Sequence, residues 1–166
     1  MLAYMEAEQL VDELGDDYYA GLLYQQMGVI YEEYYDFPKA LESHRLSTEH
    51  FQKANKPLHK LWGMLHQSGV YKDMNKDLDS FQLLQMTLKE AKETNQTSII
   101  RFCLGDLILL CLDMDKQEEA ISFYHELINH YSIERMTPSF YASLGLLMAK
   151  EKNVEKSQLY INKAWE

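Results

Sequence analysis

Apolar and small residues recur in register along this chain every forty positions, and that interval constrains the fold more than any other feature. Tyr31, Tyr71 and Cys111 form one series, Ala40, Ser80 and Ala120 a second, and Ser47, Thr87 and Leu127 a third. The turn formers Gly15, Asn55 and Asn95 keep the same forty-residue interval. A fixed step of nine residues joins the first two series: Tyr31 to Ala40, Tyr71 to Ser80, Cys111 to Ala120 and, after a change of register, Met148 to Ser157. A unit of this size cannot bury its apolar face alone. Copies of it must stack, so the chain reads as a repeat array.

The stretch Gly21–Ala54 shows what each unit is. It reads as two antiparallel helices joined at Tyr34–Phe37. Asp36 is placed to cap the second helix, and Pro38 falls in its first turn, where a missing N–H is harmless. The same reading divides the chain into repeats at about 18–55, 58–95, 97–131 and 137–166. They follow a half repeat at 1–15, in which Met1–Leu14 forms a second helix ended by Gly15. That predicts nine helices and no sheet. Asn75 is expected to cap the second helix of its repeat, Asp115 with Glu118 to start the next through a capping box, and Thr137-Pro138 to open the last. The residues assigned to repeat packing are Tyr24, Gly28, Tyr31, Ala40, Tyr71, Ser80, Leu104, Ala120, Gly145 and Ala164. Gly28 and Gly145 are placed where two helices cross, with Ala40 opposite Gly28, and the aromatic residues fill the gaps. Ser68 and Ile108 stand where Gly28 does, and Ile108 departs from the pattern at the position that sets the helix spacing of the third repeat.

Tyr24, Met27, Gly28 and Tyr31, followed by Ala40, His44 and Ser47, resemble in spacing and size the W-x2-L-G-x2-Y and A-x3-F pattern of the tetratricopeptide repeat (TPR) family. The match covers nearly the whole chain in a lengthened form, about 40 residues against the usual 34 or so. The resemblance implies an all-α fold, a right-handed superhelix of helical hairpins forming a single domain over 1–166. It also implies a concave groove lined by the first helix of each hairpin, which holds a protein or peptide. The groove residues so implied are Gln25, Val29, Trp62, Leu65, His66, Phe102, Asp106 and Leu109, with Leu22, Gly69, Ser139, Ser143 and Leu146 beside them. Family members that grip a C-terminal carboxylate use Lys, Asn and Arg at such positions. Here Gln25, Val29, His66, Phe102 and Asp106 occupy them, so that clamp is not carried over. The long repeat is also similar to those of bacterial peptide-pheromone receptors, which implies a sensor or regulatory part of a larger signalling protein. The alternative is a structural module that self-associates by stacking through open repeat ends.

Composition narrows the function classes. The formal charge of −10 and pI near 5.0 argue against a phosphate-backbone ligand, which needs clustered Lys and Arg. Met1-Leu2-Ala3-Tyr4 runs into an amphipathic pattern rather than a secretory leader. The most apolar stretch, Ile99–Met114, is broken by Arg101, Asp106 and Asp113, so no membrane span is expected. Cytoplasm is the default compartment, and periplasm the alternative for a piece of a larger sensor. Cys103 and Cys111 are eight residues apart on one predicted helix, too far to bridge, and read as small buried apolar residues.

The six histidines, His44, His50, His59, His66, His125 and His130, form no H-E-x-x-H and no Cys/His zinc spacing. His44 and His125 are expected to serve packing or the surface. Carboxylates fall near helix ends, where solvated acids belong. No phosphate loop, nucleophile elbow or dinucleotide fingerprint appears. The sequence therefore predicts a non-enzyme with no catalytic residue, no metal and no cofactor.

Overall fold

The computed structural model describes residues 15–133 and 137–165, the Ser139 side chain excepted. The expected half-repeat helix Met1–Leu14 lies outside them. Eight helices follow: α1 (Asp17–Glu33), α2 (Phe37–Lys53), α3 (Pro57–Asp73), α4 (Asp77–Glu93), α5 (Thr97–Asp113), α6 (Gln117–His130), α7 (Pro138–Lys150) and α8 (Val154–Trp165). No strand occurs among the described residues, and the fold is all-α.

The first five helices are 17 residues long each, and three-residue joins set a strict period of twenty. The joins are the reason. Gly15, Tyr35, Asn55, Asn75, Asn95 and Asp115 all have φ between 54° and 62°, one every twenty residues. A left-handed residue at this point ends a helix, and the two N–H groups there close the last turn. After α1, for example, Tyr35 N–H donates to the Glu32 carbonyl and Asp36 N–H to the Tyr31 carbonyl, both at 2.9 Å. After α3, Asn75 N–H donates to Lys72 and Lys76 N–H to Tyr71, at 2.8 and 2.9 Å. Lys152 (φ 58°) repeats the device after α7.

Two expected caps are therefore corrected. Asn75 and Asp115 close the helix before them instead of capping the one after. The N-cap positions fall one residue later, on Lys76 and Lys116, neither with a side-chain cap bond. Asp36 does cap α2, accepting from Lys39 N–H at 3.4 Å, and Thr137 caps α7 through Phe140 N–H at 3.3 Å.

The chain divides into two compact units, the second starting at Ile100. In the first, α1 packs on α2, α2 on α3 and α3 on α4. Phe51, Leu61, Val70 and Ala91 are wholly buried there. In the second, α7 packs on α8, and Leu104, Leu107, Ile108, Leu127 and Leu144 are wholly buried. Each such large side chain stabilises the fold by about 1.5–3 kcal/mol relative to exposure.

The small positions of the repeat sit at hairpin crossings. Ser80 Oγ donates to the Ser68 carbonyl at 2.9 Å, and Ser157 Oγ to the Gly145 carbonyl at 2.8 Å. Both pairs span twelve residues, the interval from Gly28 to Ala40. Ala40 and Ala120 are fully buried, while Tyr24, Tyr31, Tyr71 and Ala164 are half-buried. One placement differs. The residue against Gly28 is His44, one turn beyond Ala40: a Cβ on Gly28 would lie 2.6 Å from both ring nitrogens of His44. Gly21, which the repeat pattern did not single out, makes room for Phe51 in the same way.

Candidate functional site

The groove residues named from the sequence lie on α1, α3, α5 and α7, the first helices of the hairpins. In the first unit Gln25, Val29 and Trp62 are half-buried. Leu65 does not line an open surface, since it is only 8% exposed. The reason is register. Position 65 is equivalent to 25 and 105, and Gly105 is buried too, whereas the next position along, Gln26 or Asp106, is exposed. One residue on a helix is a turn of about 100°, enough to carry a side chain from groove to core.

In the second unit the same stripe is more open. Phe102 is 43% exposed on α5, and Leu146 is 64% exposed on α7. Asp106 is exposed, and Leu109 and Ser143 are half-buried. A large aromatic and a large aliphatic residue thus reach solvent at stripe positions, with an acidic residue one turn from Phe102.

The stripe in the first unit leads inward instead. His66, on α3, is half-buried and its ring stacks on that of His44, on α2, with centroids 4.9 Å apart and planes 11° apart. His44 is completely buried, and its Nε2 lies 2.5 Å from Oε1 of Glu32, in the last turn of α1. Glu32 keeps a side-chain exposure of 29%. One ligand-capable atom from each of Glu32, His44 and His66 lies within 4.8 Å of the others. Burial first, and then the neighbouring His44, holds the His66 imidazole below its ordinary pKa, with Glu32 opposing. His44 Nδ1 is buried and has no hydrogen-bond partner. His125, in contrast, is exposed. No spacing along the chain marks the trio, because its members are 12 and 22 residues apart on three different helices. The signal that was available is the placement of His44 between the small positions Ala40 and Ser47, which forces its ring into the hairpin.

A second polar pair is buried in the other unit, where Tyr124 and Tyr160 join their hydroxyls at 2.8 Å. Burial, and the bond to Tyr124, push the Tyr160 phenol well above its ordinary range. No helix among the described residues is long and apolar enough to cross a membrane.

No protein-family model matches the chain, and no curated protein matches it by sequence. Solved structures do match. BtubC (BKLC) from P. vanneervenii superposes with a TM-score of 0.73 at 13% identity, over 98% of this chain and 72% of that one. A MamA protein aligns at 17% identity over 87% of this chain and 90% of its own, with a TM-score of 0.35. The likeness to BtubC is one of fold: successive helices packed in hairpins, the arrangement of a helical repeat.

Proposed function

We propose that the chain is a lengthened tetratricopeptide-type scaffold that holds a protein or peptide along its first helices, without catalysing a reaction. The observation that carries this reading is the exposure of Phe102 and Leu146 at stripe positions of α5 and α7. Large apolar side chains placed in solvent on the binding face of a scaffold are the anchors that partners cover. The exposed Asp106 and the overall charge of −10 favour a neutral or basic ligand over an acidic tail. The sequence contributes no acid–base or nucleophile motif that would favour an enzyme. A sensor role within a signalling protein rests on the long-repeat resemblance alone.

The test is calorimetry of the chain against apolar-basic and acidic-tail peptides. Apolar-basic peptides should bind more tightly, and Phe102→Ala and Leu146→Ser should each weaken them at least about tenfold. Trp62→Ala, in the first unit, extends the test to α3. Preference for acidic tails, or indifference to all three substitutions, would overturn the reading.

One observation favours self-association as a second reading. An apolar depression on the second unit is lined by Pro138, Ala142, Leu146, Ile161, Ala164 and Trp165. Trp165 is 87% exposed, and Val154 and Leu159 are exposed on the same helix. A further hairpin or a second copy stacked on α8 would cover them. Light scattering over a concentration series separates the readings: mass rising with concentration, and reset to the monomer by Trp165→Ser, supports self-association.

A further inference from the structure

We propose that Glu32, His44 and His66 form a divalent metal site, suited to Zn2+, that ties α1, α2 and α3 together. It does not depend on the groove reading, since it concerns the inner side of the first unit.

The donor set comes first. Two imidazoles and one carboxylate suit zinc, which takes His nitrogen at about 2.0–2.1 Å and carboxylate oxygen at about 2.0–2.2 Å. Calcium and magnesium prefer all-oxygen shells, so this trio disfavours them. The three donor atoms already lie within 4.8 Å of one another. Two ligands on a tetrahedral ion with such bonds stand about 3.4 Å apart. Closing on an ion therefore asks Glu32 and His66 to move, and the His66 ring must leave its near-parallel stack on His44, because an imidazole lone pair lies in the ring plane. Where Glu32 ligates the ion it must back away from its 2.5 Å contact with His44, and its 29% side-chain exposure leaves it room. His66 must swing inward, and it is only half-buried. His44 can stay where Gly28 seats it.

The second observation is independent of this spacing. His44 is 0% exposed, and its Nδ1 has no partner. A buried ring nitrogen left unmatched costs about 1–3 kcal/mol, and such atoms in a native interior call for an explanation such as an ion. With the ion on Nδ1, Nε2–H would donate to Glu32 in the carboxylate–imidazole–metal arrangement that holds a ligating ring in place. With the ion on Nε2, Glu32 would be a ligand itself. In the first arrangement the two imidazoles ligate and Glu32 orients His44; in the second all three side chains ligate and Nδ1 keeps no partner. A metal ion needs each imidazole in its neutral, lone-pair form, so binding should weaken as pH falls. The solvent-facing side of Glu32 gives an entry path and a place for a water as fourth ligand.

The experiment uses the full chain stripped with a chelator and titrated with ZnSO4 by calorimetry, and with CoCl2 followed by visible absorption. Expected are one site per chain, a tetrahedral cobalt spectrum and a melting temperature that rises with zinc. Glu32→Gln and His66→Ala should each lower zinc affinity at least about tenfold while leaving the metal-free melt cooperative. His125→Ala, which removes an exposed histidine, should leave affinity unchanged. If zinc gives no heat and no thermal shift, the site does not exist. If Glu32→Gln and His66→Ala bind zinc as the wild type does, surface histidines hold it and the proposal fails. Should His66→Ala fail to fold, Glu32→Gln alone decides, because it keeps the shape of the side chain.

Discussion

Gly28 lies under the ring of His44, in the space a side chain would need. A Cβ there would come within 2.6 Å of both ring nitrogens, and the ring has nowhere to go: it is fully buried, bonded to Glu32 and stacked on His66. Gly28→Ala should therefore destabilise the protein. Overpacking costs about 1–3 kcal/mol, and the better helix propensity of Ala offsets at most about 1 kcal/mol of it. Gly69, also inside a helix, is the control, since a Cβ there meets nothing within 4 Å. Gly69→Ala should stabilise by up to about 1 kcal/mol. Urea midpoints of opposite sign for the two variants are the expected result; equal shifts would mean that His44 does not occupy the place described.

Tyr35 and Lys152 hold the left-handed conformation at helix ends, with φ of 58° each. A residue with a Cβ pays roughly 1–2 kcal/mol to stay there, and Gly escapes that cost. Tyr35 is 79% exposed, and its ring contact with Phe37 is at the surface. Tyr35→Gly and Lys152→Gly should each raise the melting temperature, whereas Asn55→Val and Asn75→Val should lower it. Thermal unfolding of the four variants checks the order.

The forty-residue recurrence was legible because it rests on packing. Ala40, Ser80 and Ala120 are small residues buried at helix crossings, and Ser157 takes the same place after a change of register. The twenty-residue period beneath it was half hidden. Asn and Gly announce a left-handed turn at Gly15, Asn55 and Asn95, but Tyr35 gives no such signal, and Asn75 and Asp115 look equally like N-caps. Choosing between the two roles takes the backbone itself. Leu65 failed as a groove residue for a similar reason: a repeat alignment fixes the helix, and one residue of phase decides which face a side chain takes. The Glu32–His44–His66 cluster was illegible in any linear pattern, since contact between three helices creates it.

The serine crossings give a graded test. Ser80→Ala and Ser157→Ala each remove a buried hydroxyl whose bond runs to a helix carbonyl. Each should cost about 0.5–1.5 kcal/mol, the usual net worth of such a bond. Leu104→Ala empties a wholly buried site and should cost roughly 2–5 kcal/mol. Urea denaturation that ranks Leu104→Ala below both serine variants is expected. The reverse order would place the hydroxyls, rather than the apolar layer, as the main determinant of stability.

The last prediction concerns pH. Cys103 and Cys111 are wholly buried and make no disulfide. Burial, with Asp106 adding to it, pushes the Cys103 thiol up to about 12, and burial with Glu119 pushes Cys111 up to about 11. In the unfolded chain both return to the ordinary range, near 9. Between those values the unfolded state has lost thiol protons that the folded state keeps, so stability falls as pH rises. The contribution is intact below about pH 8, begins to fade near 9 and is gone by about 12, at a limiting slope of roughly 1.4 kcal/mol per pH unit for each thiol. The Tyr160 phenol, also raised, adds in the same direction. Urea midpoints measured in reducing buffer from neutral to alkaline pH should decline, and Cys103→Ala should decline less steeply while starting from a lower value. Both thiols should resist a disulfide exchange reagent in the folded protein and react on unfolding, because neither the thiolate nor an approach to it exists in the native state. Fast labelling of native protein at pH 8, or identical pH slopes in wild type and Cys103→Ala, would show that these cysteines are not held in the dry interior of the second unit.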